Sequence, residues 1–203
     1  MGSLDETNWF EPSSRRDLRT WLEEQHASSS GVWVVYPRKA ARVDEPDYDA
    51  IVEEALCFGW VDSRPGRVDD ARTRVYLCPR RTGSPWAATN KARVEALVAT
   101  GLMTPAGQAV IDRARADGSW SVIDSSEAAI VPDDLAKAFD DYPGSEQEFS
   151  SFPLGVRKQI LQWIALAKRP ATREARIDET ARLAQQGRRA NQWVPTEKRA
   201  QKS

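Results

Sequence analysis

The chain has 203 residues, 40% of them apolar and 29% charged, with a net charge of −1 and a mean hydropathy of −0.60. That is enough for one core, or one plus a small appendage, and the composition describes a globular polypeptide in water. One histidine and two cysteines, Cys57 and Cys78, outside any CxxC spacing exclude a disulfide scaffold and a zinc site, and no apolar run reaches the length of a membrane span.

The opening "MGSLDETNWF" lacks the basic start and apolar stretch of a secretory signal, and Glu6 stands where an acylation signal at Gly2 needs Ser or Thr. A cytoplasmic, reducing setting is expected. The first helix is marked by Ser14 and Asp17 as a capping pair and by Leu18, Trp21, Leu22 and Gln25 on one face. "SSSG" at 28–31 ends it. "VWVVYP" then reads as a strand closing at Pro37.

After the charged loop "RKAARVDEPD", Pro46 suits the first turn of a second helix, with Ile51, Ala55 and Phe58 in a stripe and Gly59 as its stop. "GWVDS" and "TRVYLCP" are extended and joined by the turn-rich "RPGRVDDA", which predicts a hairpin. Ser84-Pro85 reads as an N-cap and first helical residue, the helix running through Val94, Leu97 and Val98 to Gly101. Thr104-Pro105 repeats that start, with Gly118 as the stop. "VPDDLAKAF" opens a further helix, and "SEQEF" offers a capping box from Ser145 to Glu148.

The last helical stretch breaks at Arg169-Pro170. Ile160, Trp163, Ile164 and Ala167 form a stripe before the break; Ile177, Ala181 and Ala184 form one after it, ending at Gly187. No internal repeat is visible. The order predicts an α+β fold, a small antiparallel sheet flanked by helices, with a helical C-terminal extension. The expected boundaries are 1–125 for the α+β domain, 126–187 for the helical region and 188–203 for a loose basic tail.

Charge is unevenly spread. Residues 157–203 hold twelve Lys/Arg against four acids, a balance of +8, which leaves −9 for residues 1–156. Such asymmetry suits an acidic partner such as nucleic acid, or attraction between the two halves of the molecule.

The segments "EEALCFGWVDS", "PRRTGSPWAATNKARVEALVATGLMTPAG", "DGSW", "VPDDL" and "WIALAKRPATREARI" follow one another in an order that resembles the YdeI/OmpD-associated proteins, also called bacteriocin-protection proteins. The resemblance runs from the Trp21-Leu22 helix to Gly187. It implies a role in tolerance of antimicrobial peptides or related envelope stress, and no established reaction. Cys78 stands where a small hydroxyl residue is expected before the proline, and Ala87 where a serine more usually follows the tryptophan. Hydroxyl chemistry is therefore not expected there.

Of the candidate sites, "PRRTGSPW" has the strongest physical case. A helix starting at Ser84 would present free backbone N–H groups and the positive end of its dipole. Arg80 and Arg81 precede it, able to make bidentate bonds to phosphate or carboxylate. Trp86 and Asn90 lie one turn apart on the same face, and Trp60 and Asp62 come from the neighbouring strand. Together they would hold a small anionic ligand carrying a flat ring. The competing reading makes Ser84 a cap only, Trp60 and Trp86 core residues, and Asp62 a carboxylate that neutralises one arginine.

Enzymatic readings lack a motif. His26 is the only imidazole and sits at the edge of an apolar helix face, with no nucleophile or acid placed beside it by spacing. Cys57 falls in an apolar helix end, where thiols are inert. No cofactor and no metal are expected, and a non-enzymatic binding protein is favoured. The alternative partner is nucleic acid, through Arg169, Arg173 and Arg176 and a tail with Arg188, Arg189, Lys198, Arg199 and the stacking residue Trp193.

Overall fold

A computed structural model describes residues 8–38 and 44–192. The chain divides into two compact units, Met1–Ser121 and Val122–Ser203. The first is the α+β unit and the second is helical.

In the first unit, strand β1 (Trp9–Phe10) is followed by helix α1 (Arg15–Gln25), β2 (Val32–Pro37), α2 (Tyr48–Cys57), β3 (Trp60–Arg67), β4 (Arg72–Pro79), α3 (Ala88–Ala99) and α4 (Pro105–Ala116). The sheet order is β1-β2-β4-β3. β4 runs antiparallel to both neighbours, and the hairpin expected from "RPGRVDDA" joins β3 to β4. The sheet is nevertheless mixed, because β1 lies parallel to β2, pairing Trp9 with Trp33. Asn8 fixes this strand: its carbonyl accepts from Trp33 N–H at 2.9 Å and its amide donates to Gly31 at 2.7 Å.

Alternation along β2 and β4 sends Val32, Val34, Val75 and Leu77 into one core with Leu18 and Leu22 of α1 and Ile51, Ala55 and Leu56 of α2. Burying each such side chain is worth about 1.5–3 kcal/mol against leaving it in water. The other sheet face carries Trp33 and Tyr76, 5.3 Å apart, with the Arg74 guanidinium 4.0 Å from the Trp33 ring and 4.7 Å from that of Trp9.

Helix starts follow local chemistry, with three shifts from the sequence reading. Ser14 caps α1 as expected, accepting from Asp17 N–H. In α2 the cap is Asp47, whose carboxylate accepts from Ala50 N–H at 2.9 Å, so Pro46 precedes the helix rather than opening it. Thr104 caps α4 with Pro105 at its first position. The helix expected from Ser84-Pro85 begins only at Ala88, with no side-chain cap. The Arg80 guanidinium competes with such a start, since it takes the Pro85 carbonyl, an acceptor that the first turn of a helix starting there would use.

Two glycines are required where they stand. Gly59 turns out of α2 at φ +73°, and its carbonyl accepts from Arg80 N–H at 3.0 Å. Gly107 lets α4 cross α2 closely: a Cβ there would lie 2.3 Å from the Cys57 carbonyl oxygen.

The second unit holds α5 (Asp124–Glu127), α6 (Asp133–Asp140), α7 (Ser145–Ser151), α8 (Leu154–Ala165) and α9 (Pro170–Gln185). Leu135, Phe139, Phe149, Ile160, Ile164, Ile177 and Ala181 form its core. The capping box at Ser145 is absent. Gly144 takes the cap position at φ +84°, and Ser145 is a fully buried residue of the helix itself. Arg169 and Pro170 start α9 as expected. Ala190 is buried in the same core and Arg189 lies over the Phe152 ring, so order extends past residue 188. From residue 193 on, the expected tail 188–203, with Trp193, Lys198 and Arg199, lies outside the described residues. Among those residues no helix is long and apolar enough to cross a membrane.

Candidate functional site

The seven residues singled out from the sequence separate into two groups. Arg80, Arg81 and Trp86 come together in the loop between β4 and α3. Trp60, Asp62, Ser84 and Asn90 do not join them around one cavity.

Trp60 is 1% exposed, meets Trp21 edge-on at 6.0 Å and donates through Nε1 to the His26 carbonyl at 3.1 Å. It is a core residue and not a ligand wall, because its place in the sheet turns it toward α1. Asp62 accepts from the Tyr48 hydroxyl at 2.6 Å, and that bond together with burial raises the tyrosine pKa, burial being the larger cause. Asn90 accepts from Arg93, which also bonds Asp49 at 2.5 Å. Ser84 closes a turn through its N–H to the Arg81 carbonyl and caps no helix.

What remains is a buried cation. Arg80 is 8% exposed, and its guanidinium carbon lies 3.7 Å from the centre of the Trp86 ring. Nη2 donates to the Pro85 carbonyl at 2.5 Å, while Nε and Nη1 have no acceptor among the described residues. Burial pushes its pKa down to about 10, and only the more distant Asp62 charge works the other way. The group is still protonated at neutral pH. A guanidinium out of water with no carboxylate against it is costly, so such an arrangement persists where something else benefits from it.

Beside Arg80 lies a cavity of about 10 Å³, reached by Arg81, Gly83, Arg113, Asp117 and Ser119. That is room for roughly one water molecule or one oxygen atom of a larger group. Arg81 and Arg113 are exposed at its rim. Asp117 is a fixed anion there: contact with Ser119, whose backbone N–H donates at 2.9 Å, then the Gly83 N–H and the Arg113 charge, hold its carboxyl below the usual range. Three arginines against one carboxylate leave the lining positive. Behind Trp86 stands Trp120, 4.9 Å away, with Arg115 5.0 Å from its ring. Arg113 and Ser119 escaped the sequence reading because the end of α4 reaches this loop only through tertiary packing.

The residues weighed for catalysis have structural work. His26 Nδ1 lies 2.8 Å from the Leu22 carbonyl, a contact that needs a proton on that nitrogen, and its ring tilts on Phe58. The Cys57 thiol is fully buried, and burial, followed by the Glu54 charge, pushes its pKa up to about 11. A thiol reagent at pH 8 is therefore expected to label the half-buried Cys78 in the folded protein and Cys57 only after denaturation. Equal labelling of both in the native state would contradict the burial of Cys57. Among the described residues no group of three or more His, Cys, Asp or Glu is placed to hold a metal ion.

In the helical unit, two arginines of the nucleic-acid alternative are occupied. Arg173 makes two bonds to Asp134, at 2.7 and 2.9 Å. Arg176 donates to the Trp163 carbonyl and lies 4.8 Å from its ring.

Compared with known proteins, residues 128–187 match the family described as bacteriocin-protection, YdeI or OmpD-associated. Residues 10–110 match a domain of unknown function, DUF8412. The match to the first family thus lies in the helical unit, while "ALCFGW" and "PRRTGSPW" fall in the second match. No curated protein and no solved structure matches the chain.

Proposed function

We propose, for a chain whose residues 128–187 match the bacteriocin-protection, YdeI or OmpD-associated family, that it is a binding protein whose α+β unit takes an anionic group at Arg80. One observation carries this reading: a guanidinium more than nine-tenths buried, stacked on Trp86, with two nitrogens unmatched and a small cavity beside it. A carboxylate or phosphate oxygen entering the cavity would accept from Arg80, with Arg81 and Arg113 meeting the rest of the charge from the rim. The cavity is too small for a ring, so the body of the ligand stays outside it. We place the protein in the cytoplasm, a setting that suits its two free cysteines, and assign it a part in tolerance of bacteriocins or related stress, as the family description suggests.

Thermal unfolding in inorganic phosphate, acetate and nucleoside phosphates tests the site. A ligand at a hundred times its Kd is expected to add about 2.7 kcal/mol. Arg80→Met should abolish the response and Arg81→Ala weaken it. If no anion raises the unfolding temperature, or if Arg81→Ala leaves the response unchanged, the reading fails. A host expressing the chain should survive a bacteriocin better than one expressing Arg80→Met at equal protein level.

A further inference from the structure

The helical unit carries an open groove of about 400 Å³ between α6 and α9, independent of the anion site. Its floor is apolar, made by Ala138 of α6, Pro170 and Ile177 of α9 and the Tyr142 ring. Its rim is acidic, with Asp134, Asp141, Glu174 and Asp178. The one cation in the lining, Arg173, is bound to Asp134 by two hydrogen bonds, so its charge is already met. Tyr142 donates to one oxygen of Asp178 at 2.6 Å and leaves the other for a guest. Arg182, further along α9, acts on Tyr142 but does not line the groove.

We infer that this groove docks a basic amphipathic helix of another polypeptide. An apolar floor selects aliphatic or aromatic side chains at helical spacing, and the flanking carboxylates select lysine or arginine beside them. From Asp134 to the end of α6 at Asp140 the wall is about 9 Å long at the rise of an α-helix, which matches between one and two turns of a guest. An inorganic cation fits less well, because the carboxylates do not converge: among the described residues no three such groups could share an ion. The acids set the sign of the partner and the floor sets its amphipathic character.

The test uses the full-length protein and a short labelled helical peptide of leucine and lysine, with a leucine and glutamate peptide as control, followed by fluorescence anisotropy. The lysine peptide should bind at least roughly tenfold tighter than the control, and more weakly as salt rises. Asp141→Lys with Glu174→Lys, both exposed positions, should cost roughly tenfold or more while the circular dichroism spectrum stays unchanged. Arg80→Met should leave peptide binding intact, which separates this surface from the anion site. Equal binding of the two peptides would overturn the inference. So would unchanged affinity in the charge-reversed variant, or competition by spermine as effective as that by unlabelled peptide.

Discussion

Glu54→Ala is expected to destabilise the α+β unit by about 3–5 kcal/mol. Glu54 is 2% exposed and accepts from Arg15 Nε at 2.7 Å and Arg19 Nη1 at 2.9 Å. Arg19 also donates to the Leu102 carbonyl, so the cluster around this carboxylate ties α1 to α2 and to the turn after α3. Removing it leaves two guanidiniums in place without the charge that both face. Arg15 keeps Glu53 at 2.8 Å and Arg19 keeps Glu23 at 3.4 Å, which puts the loss toward the lower end of that range. Replacing Arg15, Arg19 and Glu54 together by leucine or methionine should recover most of it, because the desolvation cost of all three charges vanishes with them. Glu53→Ala, at a 31% exposed side chain, should cost under about 1 kcal/mol. Urea midpoints followed by circular dichroism distinguish these outcomes. A loss below 1 kcal/mol for Glu54→Ala would show that the triad is solvated and not a structural tie.

The second large effect lies at the site. Trp86→Ala should cost about 3–5 kcal/mol, the range for truncating a buried aromatic side chain. The ring is 1% exposed, touches Trp120 and forms the surface on which Arg80 lies. Its loss opens a void and removes the cation–π contact of a desolvated guanidinium. Trp86→Phe keeps an aromatic face and should lose less, with anion stabilisation reduced but present. If Trp86→Ala retains the full anion response in thermal unfolding, the stacking of Arg80 is incidental to binding.

Legibility in the sequence followed the range of the interactions. Leu18 and Leu22, the hairpin, Thr104-Pro105 and the stops at Gly59, Gly101, Gly118 and Gly187 were readable because each depends on neighbours a few residues away. All four glycines take positive φ. β1 was not readable: two residues carry no periodicity, and the strand exists through Asn8 reaching Gly31. Ser84-Pro85 carries good start residues yet opens no helix, because a side chain five residues upstream takes the Pro85 carbonyl. At the site, Arg80, Arg81 and Trp86 were readable as a local cluster. Trp60 and Asp62 were not separable from them, since the register of β3 on β4 decides where each stands. Arg113 and Ser119 carry no local signal that relates them to residue 80.

The sheet order has a consequence for how the protein behaves when crowded. With β2 and β4 inside, the long strand left at a margin is β3, "WVDSRPGR". It breaks register after Asp62, lacks an amide hydrogen at Pro65 and carries guanidiniums at Arg64 and Arg67. Each of these blunts the pairing of a foreign strand, by bending the ladder, removing a donor or placing like charge against like. The other margin, β1, is two residues long and offers little to extend. Aggregation by edge-to-edge sheet growth is thus designed out of the folded unit, and Pro65→Val with Arg64→Thr is the change that would reopen it.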